Sequence, residues 1–117
     1  MIKNIPIDHP KIFSTCKNSL DKGGIVIYPT DTLYGFGVDA RNETAIKKLN
    51  SIKRRSSPIS IIVENFEQLV TFTNLSKEKR KFIKENIGNK TTFILPTIKG
   101  SVHKSVMSGN NFIGFRI

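Results

Sequence analysis

Three short stretches carry side chains of the kind that grip small polar or anionic ligands. The first is YPTDTLYGFG, residues 28–37, in which Thr30, Asp31 and Thr32 lie between the apolar run GGIVIYP and a second run broken by Gly35 and Gly37. Alternate residues of an extended segment share a side, so the Thr30 and Thr32 hydroxyls face one way and Asp31 the other, with the glycines removing bulk beside them. Such a cluster at a strand end suits a small polar ligand. It also suits a plain turn at Pro29-Thr30-Asp31, with Asp31 bonding its own backbone.

The second stretch is SIKRRSSP, residues 51–58, where Lys53, Arg54 and Arg55 precede two serines and a proline. Lysine supplies a point charge, and arginine a planar fork that holds phosphate or carboxylate bidentately. The same cations would complement a helix C-terminus with no ligand present. No GxxxxGK[ST] pattern occurs, so a P-loop is excluded as the means of holding ATP. The third is IGFRI, where Arg116 stands among Ile113, Phe115 and Ile117 and alternation places it on the face opposite Phe115. An arginine in an apolar strand requires an anionic partner. Asp31, Asp39 or a ligand could fill that place.

The elements that must position these residues follow from periodicity and caps. Asp8 as cap, Pro10 in the first turn, and Phe13, Cys16 and Leu20 at spacings of three and four predict a helix over 9–22 with an apolar core face, stopped by Gly23-Gly24. IVIYP reads as a buried strand and 33–38 as a second. A helix after DARN puts Ala45, Ile46, Leu49 and Ile52 on one face; a strand covers 59–63. Asn65 and Ser76 cap two further helices, the second ending at Gly88. TTFILP and FIGFRI are the remaining strands, with KGSVHKSVMSGN a polar connector between them. Strands alternating with helices predict a single α/β domain with an open, mixed or largely parallel sheet. An unpaired final strand would leave FIGFRI as an apolar edge, an invitation to a partner chain completing the sheet.

Composition narrows the function classes. The chain has 117 residues, one domain's worth, with 38% hydrophobic content, eight Phe and no Trp. Nineteen Lys+Arg against nine Asp+Glu give a net charge of +10, much of it in 47–55 and 77–90. That charge suits nucleotide, phosphate or RNA, or simply a solvated lysine-rich surface. One cysteine, Cys16, excludes an internal disulfide and a cysteine metal site, and its helical spacing with Phe13 and Leu20 predicts a core thiol. His9 and His103 stand apart, with no catalytic triad in prospect. No apolar stretch approaches the length of a bilayer span and no signal-peptide core is present, so a cytoplasmic protein is expected.

Taken in order, these pieces resemble the YrdC-like family, whose best-known members are threonylcarbamoyl-AMP synthases. Residues 29–37 match its P-T-[DE]-T-x-Y-G-[LF]-G pattern at every position; Lys53, Arg55, Pro58 and ISIIV match K-x-R, a loop, a proline and a strand. GNKTTFILP matches G-x-x-T-x-[IVL]-L, and residues 113–117 match [IV]-G-x-R-[IV]. The wording GNKTTFILPTIKG is nearer the YciO branch, the loop between Arg55 and Pro58 is short, and Ile62 stands where many synthases have histidine. The family also carries a further lobe with a Ser-x-x-Ser-Ala-Asn loop, so residues 1–117 are expected to form a YrdC-like domain lacking that C-terminal lobe.

The resemblance implies nucleotidyltransferase chemistry. Threonine, bicarbonate and ATP give threonylcarbamoyl-AMP and pyrophosphate, for threonylcarbamoyl modification of a tRNA adenosine. The threonine amine attacks the carbonate carbon and the carbamate attacks the α-phosphorus, so no protein nucleophile is required. Thr32 and Arg116 are then expected to bind threonine, Lys53 and Arg55 the ATP phosphates, and Thr30, Tyr34 and Thr92 to wall the pocket. Magnesium would ride on the triphosphate, with no protein-held metal. With the nucleotide-side loop absent, weak ATP binding and little or no synthesis are expected. The alternative is a YciO-like module that binds double-stranded RNA or tRNA on the same basic surface without synthase activity.

Overall fold

The computed structural model describes residues 2–54, 58–88 and 90–117. Helix α1, Ile12–Asp21, leads into the antiparallel hairpin of β1, Val26–Pro29, and β2, Tyr34–Gly37. Helix α2, Glu43–Lys53, follows, then β3, Ile61–Ile62, the single turn α3, Phe66–Leu69, and α4, Lys77–Asn86. Strand β4, Phe93–Pro96, the short α5, Lys104–Met107, and β5, Phe112–Arg116, complete the chain. Among the described residues the strands form two sheets, β1-β2 and the mixed β3-β5-β4.

Local signals produce several elements as expected. The Asn42 side chain accepts from the Ala45 N–H at 3.0 Å, Asn65 from Gln68 at 2.8 Å, and Ser76 from Lys79 at 3.3 Å. Each satisfies an amide that the first helical turn leaves unpaired. Gly88 follows α4 at φ 83°, a left-handed stop that glycine takes without strain.

The sheet is arranged differently from the expectation. β5 is its central strand, parallel to β3 and antiparallel to β4, so FIGFRI is not an apolar edge. β4 pairs with Phe112 to Phe115 and the shorter β3 with Phe115 and Arg116, and the free edges belong to β3 and β4. Ile113 and Phe115 point into a core with Ile46, Val63, Leu69, Ile83, Phe93, Val102 and Val106. Val102 and Val106 come from the segment read as a polar connector. They fold inward because α5 packs on α2 and the His103 imidazole caps α5, Nδ1 accepting from the Ser105 N–H at 3.1 Å.

The N-terminal third stands off this core. None of the described residues 2–41 is buried. Helix α1 begins at Ile12 without a side-chain cap, so Asp8 does not start it. Phe13 is 86% exposed and Cys16 only half-buried, because α1 packs chiefly against β1 and no residue of the helix is buried. β1 is likewise not buried, and Ile27 faces outward. Ile52, at the end of α2, is exposed while Ala45, Ile46 and Leu49 are buried.

Candidate functional site

The Thr-Asp-Thr motif is the turn of the β1–β2 hairpin. Thr30 organises it: Oγ1 accepts from the N–H groups of Thr32 at 3.2 Å and Leu33 at 3.1 Å, and donates to the Leu33 carbonyl at 2.5 Å. A hydroxyl has one proton and two lone pairs, so this one is fully committed to the turn. Thr32 Oγ1 lies 3.3 Å from Thr30 Oγ1, on the same side, and is the hydroxyl of the two with capacity for a ligand. Thr30, rather than Asp31, therefore makes the local turn bonds.

Asp31 is turned toward the other sheet. Its Oδ1 accepts from Arg116 Nη2 at 2.5 Å, across 85 positions of sequence. Asp39, the other acidic candidate, is held by Arg41 in a two-pronged pair, Nε to Oδ1 at 3.0 Å and Nη2 to Oδ2 at 2.7 Å. Those bonds, foremost, draw the Asp39 carboxyl below its ordinary range. The Asp31–Arg116 pair is open to solvent, with 28% of the Arg116 and 43% of the Asp31 side chain exposed. Arg116 Nη1 also reaches Thr92 Oγ1 at 3.5 Å, a long and weak contact.

Strand register explains the surroundings. Cross-strand partners share a face, so Ile62 and Arg116, and Ile94 and Gly114, point to the side opposite the core. That face is open: Ile62, Ile94 and Phe112 are all exposed. Gly114 forms its low point, since a Cβ there would lie 2.7 Å from Ser60 Oγ and 2.8 Å from Thr92 Cγ2. Ser60, Gly114 and Thr92 thus make a shallow polar floor beside the guanidinium. Ser60 is not legible as a site residue, because only strand pairing brings it beside Gly114, whereas Gly114 lies two positions before Arg116 and alternation along β5 sets it on the same face.

Tyr28 was also missed. Its ring occupies the space that Gly35 and Gly37 leave open; a Cβ on Gly37 would lie 2.7 Å from its Cε1, and one on Gly35 3.0 Å from its Cζ. The glycines make room for this ring rather than for a ligand. Burial raises the Tyr28 phenol above its ordinary value, while the nearby Arg116 charge opposes the rise. Tyr34 is exposed next to the turn, paired in register with Pro29. Lys53, the last residue of α2, places Nζ 5.3 Å from the centre of the Phe36 ring, against the hairpin. Arg55 lies outside the described residues.

The structure therefore gathers Asp31, Thr92 and Arg116 with the Thr30–Thr32 turn, and sets Lys53 against β2. Among the described residues no group of His, Cys, Asp and Glu could hold a metal ion, and no helix is long and apolar enough to cross a membrane.

A small mixed α/β domain with an arginine on its central strand, facing a threonine-rich hairpin turn, is the class that the fold defines, and comparison with known proteins gives the family. Residues 18–117 match the profile of the Sua5/YciO/YrdC family, described as telomere recombination, and the chain belongs to that family. It is 32% identical over 105 residues to a threonylcarbamoyl-AMP synthase of Idiomarina loihiensis, covering 86% of this chain and 56% of that protein. The chain thus spans about half the length of that curated relative. Among solved structures, P. abyssi Sua5 complexed with L-threonine superposes with a TM-score of 0.77 at 25% identity, over 88% of this chain and 31% of that one. E. coli YciO superposes with a TM-score of 0.82 at 22% identity, over 92% of this chain and 53% of that one, which shows a shared fold.

Proposed function

We propose that this chain is the amino-acid- and phosphate-binding part of a threonylcarbamoyl-AMP synthase-type enzyme. The observation that carries the reading is Arg116. It is a guanidinium held on the central strand of an uncovered sheet face, beside Thr92 and the Thr30–Thr32 turn, in a fold shared with a Sua5 that was solved with L-threonine. Arg116 would take the threonine carboxylate and Thr32 its hydroxyl, while Lys53 and Arg55 would neutralise the phosphates of magnesium-bound ATP. The reaction then needs no protein nucleophile. The residues position threonine, bicarbonate and ATP so that the amine reaches the carbonate carbon, a C–O bond breaks with loss of water, and the carbamate oxygen then reaches the α-phosphorus with pyrophosphate leaving. Threonylcarbamoyl-AMP formed in this way serves tRNA modification.

Amide chemical-shift mapping with L-threonine tests the site. Shifts confined to residues 30–33, 92 and 114–116 support it, and unchanged spectra at millimolar threonine overturn it. Incubation with labelled threonine, bicarbonate and ATP, followed by assay for pyrophosphate, tests whether this chain alone completes the reaction. A second reading, an RNA-binding module, draws on the exposed cations of α4: Lys77, Lys79, Arg80, Lys81 and Lys84. Strongly salt-dependent binding of duplex RNA, lost on neutralising α4, would favour it.

A further inference from the structure

Asp31 already occupies the guanidinium to which the proposed function assigns the ligand's carboxylate. Arg116 is anchored on β5, which is hydrogen-bonded on both sides. Asp31 sits on a hairpin with no buried residue, in a turn that Thr30 keeps intact without help from Asp31. The Asp31 carboxylate can therefore move away from Arg116 as part of a rigid turn on a loosely packed support. The pair is solvent-exposed, and opening such a pair costs little.

We propose that Asp31 and Arg116 together form a receptor for the zwitterion of a free α-amino acid, which inserts between them. The ligand's carboxylate takes the guanidinium and its ammonium takes the Asp31 carboxylate, so one ion pair is exchanged for two. A single carbon separates the two charged groups of an α-amino acid, a span suited to a gap opened between two side chains that now touch. A carboxylic acid without the amine would hold Arg116 but leave Asp31 facing a second negative charge. An amine without the carboxylate would leave Arg116 unpaired. Asp31 is thus a specificity-determining residue for the unmodified amino group. The inference rests on the proposed amino-acid site and assigns within it a role that neither the motif nor Arg116 alone requires.

The test compares L-threonine with 3-hydroxybutanoate, which is threonine without its amine and no larger. Affinities are measured by NMR titration for the parent chain and for Asp31→Asn, Asp31→Glu and Arg116→Lys. The parent should prefer threonine by about tenfold or more, the magnitude of one charge-assisted hydrogen bond. Asp31→Asn should lose most of that preference, chiefly by weakening threonine, whereas Asp31→Glu should retain it in part. Arg116→Lys should weaken both ligands. Melting curves establish that each variant is folded. If Asp31→Asn keeps the parent's preference, or binds threonine more tightly than the parent does, Asp31 is a spectator or a competitor and the inference falls while the amino-acid site stands. If neither ligand binds any folded variant, the site and the inference fall together.

Discussion

Asp31 Oδ1 and Arg116 Nη2 meet at 2.5 Å and join the hairpin turn to the last strand of the chain. The pair links two motifs that lie 85 positions apart, and both of its members remain partly in solvent. Its geometry bears on stability as well as on binding, and the two consequences separate experimentally.

Arg116→Ala should remove L-threonine binding while lowering stability by only about 1 kcal/mol or less, the usual worth of an exposed ion pair. Thermal melting and threonine titration of the same samples check this. A loss of several kcal/mol would show that the pair is a structural bond.

Lys53→Ala should weaken ATP binding about ten- to a hundredfold, the effect of losing one charge-assisted phosphate contact. Lys79→Ala, on the exposed face of α4, should leave it unchanged. Calorimetry at fixed ionic strength distinguishes the two, and equal losses would mean that diffuse charge alone attracts the nucleotide.

Gly37→Ala should destabilise the chain by about 1–3 kcal/mol, because the new methyl group falls 2.7 Å from Tyr28 Cε1 and forces the ring out of its seat. In a Tyr28→Leu background most of that cost should vanish. The double-mutant cycle, read by urea denaturation, measures the coupling directly.

Tyr28 should ionise above its ordinary value, and Arg116→Ala should raise it further by removing the charge that opposes burial. Because the folded-state value is the higher one, the unfolded chain loses its proton first. The stability Tyr28 contributes is therefore complete below about pH 10 and is lost as pH climbs through the folded value. Phenolate absorbance followed in Tyr34→Phe, which leaves one tyrosine, gives the titration.

The parts of this protein that were legible from its sequence are those whose causes lie within about four residues. Asn65 and Ser76 each cap the amide three positions on, and the spacing of Ala45, Ile46 and Leu49 marks the buried side of α2. The same periodicity misleads at Phe13 and Cys16. An apolar stripe states what a helix could bury, whereas burial itself depends on whether another layer arrives to cover it.

By itself the sequence determined α2, the Asn65 and Ser76 caps of α3 and α4, the strand segments, the opposite facing of Arg116 and Phe115, and the family motifs. Only the tertiary structure decided that β5 is central, that Val102 and Val106 complete the core, and that Asp31 rather than Asp39 holds Arg116. It alone placed Ser60 and Tyr28 around the site. The reason is one of range. A cap or a helical stripe is settled by neighbours along the chain, but strand order and ion-pair choice are settled by competition among distant segments for the same backbone bonds and the same shelter from water.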